Sequence, residues 1–211
     1  MHDWAEYLKF FIGLVAILNP IGVIPIFINL TAEQSSSERK KTAFVTGLAV
    51  GIVMWVSLIA GEWILNLFGI TVASFRVGGG ILILLMAISM MQATMSPTKQ
   101  TPEEARDAAT KDSVAVVPLA IPLLAGPGAI STIVLYANRD PSFLHDMVLA
   151  GGIFIVAIMV WIFFRAAEPL AEKLGRTGIN VVTRIMGLIM AAIGVEFMAN
   201  GLKQLFPVLG G

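Results

Sequence analysis

The chain has no cysteine, and His2 and His145 are the only histidines among its 211 residues. Without thiols, disulfide, thiolate and iron–sulfur chemistry are excluded. The sequence also contains no cluster at metal-ligand spacing, no nucleophile paired with a base and no phosphate-binding loop, so we expect neither a metal nor a cofactor. Charged residues make up 13% of the chain, about half the share found in soluble domains. The net charge is zero, so no nucleic-acid partner is expected.

What the chain has in abundance is apolar sequence, with 57% hydrophobic residues and a mean hydropathy of +0.85. A helix that crosses a bilayer needs about 20 apolar residues. Asp3 and Glu6 stand where a signal peptide carries cations, so we expect the first apolar run to be retained as a span. The sequence therefore predicts an all-α membrane protein with six transmembrane helices, at residues 8–30, 42–68, 75–96, 113–137, 146–165 and 182–203.

The positions of lysine and arginine predict the orientation, because these residues favour the cytoplasmic side of a membrane. If the N-terminus lies outside, the inner loops hold Arg39, Lys40, Lys41, Lys99, Arg106, Lys111, Arg165, Lys173, Arg176 and Arg184. The outer side then holds only Lys9, Arg76, Arg139 and Lys203. We therefore expect both termini on the outer side.

Two of the six apolar runs are interrupted by helix-breaking residues near their middle. The interrupting residues are Asn19, Pro20, Gly22 and Pro25 in the first run, and Pro122, Gly126, Pro127 and Gly128 in the fourth. Proline removes an amide donor and clashes with the preceding turn. In lipid, open backbone is tolerated only where it is buried in protein or lines a cavity. A pair of broken spans at matching places in two halves is the best sequence indication of a transporter site.

The two halves of the chain align at a nearly constant offset. Pro20 and Pro127 are 107 residues apart, and Arg76 and Arg184 are 108 residues apart. The alignment places three spans in residues 1–98 and three in residues 113–211, with residues 99–112 as a cytoplasmic connection. Because three is an odd number, the second half enters the membrane from the opposite side. The sequence thus predicts a 3+3 inverted repeat with broken first and fourth helices.

The broken helices offer groups that suit a small zwitterion. A helix that restarts after a break, as before Ser131 and Thr132, presents free amides and the positive end of its dipole to a carboxylate. Unwound carbonyls and the Asn19 amide oxygen can accept hydrogen bonds from an ammonium group. The remaining lining of Ile, Leu, Val and Ala suits a small apolar side chain. The alternative is that proline and glycine only kink these helices for packing, since both are frequent in membrane helices.

Charged residues inside spans are functional hypotheses by default. Glu62 and Arg76 flank the turn between the second and third spans, and we interpret them as a structural ion pair. Glu168 and Arg184 occupy the matching places in the second half and are interpreted in the same way. Glu196 has no acidic counterpart in the first half. We expect Glu196 to line the outer vestibule or to carry a coupling proton, with pairing to a neighbouring helix as the alternative.

Two groups of glycines predict close contacts between helices. Gly47 and Gly51 form a small face on the second span that lets another helix approach. A second copy of the chain could also pack against this face, so the sequence allows a homo-oligomer. The glycine triplet at residues 78–80 lies inside a span, so we interpret it as a point of close helix crossing and not as a phosphate-binding loop.

The residues at the breaks also resemble a known family. The sequence NPIGVIP at residues 19–25 resembles the signature of the MarC family of inner-membrane proteins. Residues 118–130, PLAIPLLAGPGAI, resemble the fourth span of that family, and residues 184–188, RIMGL, resemble its last span. The resemblance implies six spans in a bacterial inner membrane, which would make the outer termini periplasmic. It also implies a transporter or exporter of small neutral amino acids such as glycine, alanine and threonine.

The predicted function is therefore secondary transport of small neutral amino acids by alternating access, with a zwitterionic substrate and the lipid bilayer as partners. The alternatives are a channel, a transporter for another small metabolite, or a membrane protein that transports nothing. An enzyme is not expected, because catalysis inside a bilayer needs titratable groups that converge. Only Glu62, Glu196 and two arginines at the span boundaries are available for that purpose.

Overall fold

The computed structural model describes residues 4–92 and 114–210, and every regular element within them is helical. The elements are α1 (Trp4–Leu18), α2 (Pro20–Leu30), α3 (Ser36–Leu67), α4 (Val72–Met91), α5 (Ala115–Leu124), α6 (Pro127–Ala137), α7 (Phe143–Arg165) and α8 (Ala167–Leu205), followed by a 3-10 turn at Pro207–Gly210. α5 has π-helical hydrogen bonding. The predicted all-α class is confirmed. The predicted connection at residues 99–112 lies outside the described residues.

Five segments of the described chain are long and apolar enough to cross a membrane. They are α1 and α2 taken together, α3, α4, α7 and α8. α6 is a shorter apolar helix of 11 residues, because the fourth predicted span is divided between α5 and α6. The structure therefore shows a helical membrane protein, while the count of six spans stays a prediction.

Local sequence fixes where the long helices begin. Ser35 and Glu38 form a capping box at the start of α3, in which each residue's side chain accepts a hydrogen bond from the other's backbone amide. Thr71 and Ser142 cap α4 and α7 with a side-chain oxygen. The turn between α3 and α4 needs a left-handed residue, which is Gly69 with φ 64°. Side-chain caps therefore fix the starts of α3, α4 and α7, whereas α8 begins without one.

The helices pair across the two halves of the chain. α4 packs along α8, and α3 packs along α7. α2 contacts α7 and α8 while α6 contacts α3 and α4, and α1 contacts α7 while α5 contacts α3. Exchanging α1–α4 with α5–α8 leaves these pairings unchanged, whereas the contact of α1 with α8 has no counterpart of similar extent between α5 and α4 in the described chain. An inverted repeat would produce this pattern, although the repeat itself stays a prediction.

The core of the described chain lies where the broken elements meet the third span of the first half. Its large, fully buried side chains include Phe10, Leu14, Ile17, Ile83, Met86, Leu119 and Leu123. These residues come from α1, α4 and α5. The backbone at Asn19 and Gly126 is therefore buried in protein, which is the condition under which a bilayer tolerates open backbone, whereas Val117 and Ile121 in α5 are exposed.

Glycines allow α4 and α8 to cross closely. A Cβ atom at Gly80 would lie 2.7 Å from the carbonyl oxygen of Gly194, and a Cβ atom at Gly194 would lie 2.9 Å from the carbonyl oxygen of Gly80. A Cβ atom at Gly79 would lie 2.8 Å from the Cβ atom of Ser131 on α6. Gly78 faces open space. The interpretation of the triplet as a crossing point is thus confirmed for two of its three glycines.

Gly47 and Gly51 pack α3 against α7 within the chain. A Cβ atom at Gly47 would lie 3.0 Å from the carbonyl oxygen of Ala157 and 3.0 Å from the Cβ atom of Trp161. A Cβ atom at Gly51 would lie 3.2 Å from the Cβ atom of Ala157. An apolar groove of about 470 Å³ remains beside this contact. The glycines therefore have an intramolecular role, and a homo-oligomer stays a prediction.

Contacts between helix ends define two faces of the molecule. On the first, the start of α1 meets the end of α6 and the start of α7, through an ion pair of Glu6 with Arg139 and a hydrogen bond of Tyr7 with His145. We call this the N-terminal face. On the second, Arg39 at the start of α3 pairs with Glu168 at the start of α8. Arg39 also donates a hydrogen bond to the carbonyl of Thr31, the residue directly after α2. We call this the loop face.

Candidate functional site

Asn19 separates α1 from α2 and shapes the first break. Its backbone is left-handed, with φ 46° and ψ 60°, a conformation that asparagine adopts more readily than most residues. Asn19 Oδ1 accepts a hydrogen bond from the Gly22 amide at 3.3 Å, and Nδ2 donates to Thr183 Oγ1 on α8 at 3.5 Å. Pro20 follows at the first helical position, where its missing amide costs nothing. The first break is therefore a buried, capped restart of the helix.

The second break begins earlier in the chain than predicted. Val117 and Ile121 have extended backbone angles inside α5, because each precedes a proline and the proline ring disfavours the helical conformation there. Gly126 then starts α6 with extended backbone and no side-chain cap, and Pro127 occupies its first turn. The second half-helix therefore restarts with first-turn amides that no side chain caps.

The two breaks lie against each other in the core. A Cβ atom at Gly128, in the first turn of α6, would lie 3.4 Å from Ile17 Cγ2 near the end of α1 and 3.1 Å from Met86 Sδ on α4. One turn further along α6, Thr132 is 1% exposed and donates a hydrogen bond to the Gly128 carbonyl at 2.9 Å. We call the contact of α1 with the start of α6 the junction.

A cavity of about 550 Å³ opens beside the junction, and we call it the vestibule. Its lining residues come from α1, α6, α8 and the turn after α6: Glu6, Lys9, Ile12, Gly13, Thr132, Tyr136, Arg139, Ile189, Ala192, Ile193, Glu196 and Phe197. Glu6 and Arg139 belong to the N-terminal face, while Thr132 lies one turn from Gly128. The vestibule therefore extends from the N-terminal face to within one helical turn of the second break.

Charged groups at the mouth of the vestibule hold one another in place. Glu6 Oε2 pairs with Arg139, and Glu6 Oε1 accepts from Lys9 Nζ at 3.0 Å. The Arg139 guanidinium lies over the Tyr136 ring, with 4.0 Å between Cζ and the ring centroid. A cation in this position is attracted by the face of the ring. The result is a fixed cationic group at the end of α6.

Glu196 lines the vestibule from α8. Its Oε1 accepts a hydrogen bond from Asn200 Nδ2 at 2.7 Å, one helical turn away. In residues 4–92 and 114–210, no cation is paired with this carboxylate. Glu196 is exposed, so its charge is in contact with the space of the cavity. A role of Glu196 as the carrier of a coupling proton stays a prediction.

The structure does not form the two expected ion pairs within the described chain. Glu168 pairs with Arg39, and not with Arg184, because the starts of α3 and α8 meet at the loop face. Arg184 lies sixteen residues further along α8, beyond an interruption of the helix. Glu62 is exposed and lines a separate cavity of about 620 Å³ between α3 and α7. It is not paired with Arg76 in the described chain.

The remaining predicted residues occupy different surroundings. Ser131 and Thr132 lie together on a buried turn of α6, and Ser131 packs against α4. Gly22 is half-buried beside the Asn19 side chain. Pro25 is exposed on α2, and Pro122 lies within α5. The structure therefore brings part of the predicted set to the junction and places Pro25 at the surface.

Comparison with known proteins identifies the same family as the sequence motifs at the two breaks. The chain matches the model of the MarC family integral membrane proteins over residues 4–206. It belongs to the MarC family. The UPF0056 membrane protein YhcE of Escherichia coli (strain K12) is 45% identical, and the match covers 98% of this chain and 96% of the relative. YvbG of Bacillus subtilis (strain 168), also named a UPF0056 membrane protein, is 36% identical over 94% of this chain and 95% of its own length.

A third relative has a similar level of identity. A UPF0056 membrane protein of Pyrococcus abyssi (strain GE5 / Orsay) is 35% identical over 94% of each chain. No solved structure matches the chain. The resemblance to the MarC family that the break motifs indicated is therefore confirmed over nearly the whole sequence.

Several residues of the MarC vestibule and junction were not identified from the sequence. Glu6 and Arg139 are separated by 133 residues, and Asn19 and Thr183 by 164 residues. Contacts at such separations leave no local pattern. The sequence did contain one indication of the contact between Glu6 and Arg139. Glu6 lies just before the first apolar run and Arg139 just after the fourth, on the same predicted side of the membrane. The extended residues of α5 could have been found from the X-Pro rule.

In this MarC family protein, replacing Asn19 with alanine is expected to lower the free energy of unfolding by about 2–3 kcal/mol. Loss of the helix cap contributes about 1 kcal/mol, and holding alanine in the left-handed region contributes about 1–2 kcal/mol. Asn19→Gly should lower the free energy of unfolding by only a few tenths of a kcal/mol, because glycine adopts left-handed backbone angles readily and is acceptable at the N-cap position. Thermal unfolding in detergent measures the difference. Equal losses in both variants would contradict the backbone explanation.

Proposed function

We propose that this protein is a secondary transporter of small neutral amino acids that works by alternating access. One three-span half moves against the other and exposes the junction first to one side of the membrane and then to the other. The proposal places the protein in a bacterial inner membrane with the N-terminal face towards the periplasm, in accordance with the distribution of lysine and arginine.

The junction is the observation that carries the proposal. Two helices of a membrane protein are broken, one in each half, and their breaks touch through Ile17 and Gly128. A cavity of about 550 Å³ extends from the N-terminal face to Thr132, one turn from Gly128. Broken helices that meet beside an aqueous cavity are the arrangement in which secondary transporters bind substrate.

The junction has groups for both ends of an amino acid. Asn19 Oδ1 already accepts one hydrogen bond, from the Gly22 amide, and a carbonyl oxygen has a second lone pair for an ammonium group. The amides of Ala129 and Ile130 donate to the Gly126 carbonyl at 3.0 and 3.2 Å. This leaves the Gly128 amide as the first candidate partner for a carboxylate at the positive end of α6.

Counterflow in proteoliposomes tests the proposal. Vesicles that contain the purified protein and unlabelled alanine are diluted into labelled alanine, and transient accumulation of label is expected. Gly128→Ala should slow the exchange, because its Cβ would lie 3.1 Å from Met86 Sδ at the junction. Gly151→Ala is the matched control, since no atom lies within 4 Å of a Cβ there.

Each other outcome of the counterflow experiment points to a different function. Flux without saturation or counterflow would identify a channel, because a pore couples no exchange. Absence of flux with alanine, glycine, serine and threonine would contradict amino-acid transport. Equal rates for Gly128→Ala, Gly151→Ala and the wild type would contradict the placement of the substrate at the junction.

A further inference from the structure

The vestibule has the volume and the charged lining of a binding site, in addition to its position beside the junction. At about 550 Å³ it has room for a small solute together with water, since a water molecule takes about 30 Å³ in the liquid. Its lining carries two acids and two bases, which lie on three different elements: α1, α8 and the turn after α6. The lining therefore has equal numbers of acidic and basic side chains, but they are distributed over different elements.

The negative charge on the α8 side is not neutralised by protein. Glu196 accepts a hydrogen bond from Asn200, but it has no cationic partner in the described chain. A carboxylate within a membrane-spanning helix is costly unless it faces a water-filled cavity or meets a cation. The vestibule satisfies the first condition, and a ligand ammonium group at Glu196 would satisfy the second.

Two cationic side chains lie on the other side of the vestibule. Lys9 and Arg139 both contact the Glu6 carboxylate. The Tyr136 ring holds the Arg139 guanidinium in place. Because arginine presents five donors, a guanidinium engaged with one carboxylate can still donate to a second one.

Apolar side chains form much of the remaining lining of the vestibule. Ile12, Ile189, Ile193 and Phe197 line the vestibule together with Ala192. A ligand between the two charged sides would meet this apolar surface with its side chain. The surface offers no charged group to a side chain, so it suits aliphatic groups and disfavours charged ones.

We propose that the vestibule is a binding site for an amino-acid zwitterion, with the ammonium group at Glu196 and the carboxylate at Arg139. This inference rests on the proposed function and adds a second site to it, on the N-terminal face of the junction. The substrate occupies the vestibule before or after it occupies the junction. Thr132, at the inner end of the vestibule, lies between the two sites.

Binding of three small ligands to the purified protein in detergent tests the assignment. Alanine carries both charges, alaninamide carries only the ammonium group, and propionate carries only the carboxylate. Glu196→Gln is expected to weaken binding of alanine and alaninamide about tenfold or more while propionate binds as before, because it removes the negative charge that pairs with the ammonium group. Arg139→Gln is expected to weaken alanine and propionate and to leave alaninamide unchanged.

Glu62→Gln is the matched control, because Glu62 is an exposed carboxylate that lines a different cavity. If Glu196→Gln and Glu62→Gln bind all three ligands alike, the inference is overturned, and alanine counterflow by the wild type would leave the proposed function standing. Uniform weakening of all three ligands by Glu196→Gln would also overturn it, because it would indicate a structural role. Absence of both binding and counterflow in the wild type would overturn the inference and the proposed function together.

Discussion

Replacing Gly80 with alanine is expected to lower the free energy of unfolding by about 1–3 kcal/mol, the usual cost of an added methyl group in a well-packed contact. The new Cβ atom would lie 2.7 Å from the Gly194 carbonyl oxygen, 2.7 Å from Met198 Cγ and 2.9 Å from the Met198 amide nitrogen. Two of these atoms belong to the backbone of α8 and cannot move away as a side chain can. α4 and α8 must therefore separate along a contact that joins the two halves.

Gly78→Ala is the matched control for this effect. Gly78 lies two residues away on the same helix, and a Cβ atom there meets nothing within 4 Å. Alanine favours helix over glycine by about 1 kcal/mol, so this variant should be as stable as the wild type or more stable. Thermal unfolding in detergent compares the two. If both substitutions shift the midpoint in the same direction by the same amount, the close crossing is not what limits stability.

Replacing His145 with phenylalanine is expected to lower the free energy of unfolding by about 1–3 kcal/mol, because it removes two side-chain hydrogen bonds worth about 0.5–1.5 kcal/mol each. His145 is 6% exposed. Its Nε2 lies 2.8 Å from the Tyr136 carbonyl oxygen, and its Nδ1 lies 3.0 Å from the Tyr7 hydroxyl. A carbonyl only accepts, so Nε2 carries the hydrogen and Nδ1 accepts from Tyr7. One imidazole thus joins α1, α6 and α7.

Tyr7→Phe distinguishes the contributions that the two hydrogen bonds of His145 make to stability. This substitution removes the hydroxyl and leaves the bond to the Tyr136 carbonyl intact. The expected loss is about 0.5–1.5 kcal/mol, the net value of one ordinary hydrogen bond, and therefore less than for His145→Phe. Chemical or thermal unfolding of both variants in the same detergent gives the order. A greater loss for Tyr7→Phe would show that the Tyr7 hydroxyl, and not the carbonyl, determines the stability of this contact.

The sequence was sufficient for those features that depend on local composition. Apolar run lengths predicted the helical membrane class, and the positions of Pro20 and Pro127 predicted where the first and fourth runs are interrupted. The crossing at Gly80 was also predictable, because glycines inside a span have few other uses. Each of these features follows from residues that are close together in the chain.

The sequence was insufficient where the outcome depends on which helix ends meet. Glu168 was expected to pair with Arg184 by analogy between the halves, but the start of α3 brings Arg39 closer. The second break extends back to Val117 and Ile121, because successive prolines act separately on the residues before them. Pairing and unwinding of this kind are decided by tertiary packing and by the sum of several local constraints.

The contacts at the two faces of the molecule share one property. Glu6 with Arg139, and Arg39 with Glu168, each join a residue before the central connection to a residue after it. Exposed ion pairs of this kind are worth about 0–1 kcal/mol, so each can open at a cost close to thermal energy. Because the chain contains no cysteine, cysteines introduced at positions 6 and 139, or at 39 and 168, would be its only thiols. Spectroscopic labels at these two pairs of positions would report how far the helix ends separate at each face once its ion pair is removed, in a background that needs no prior engineering.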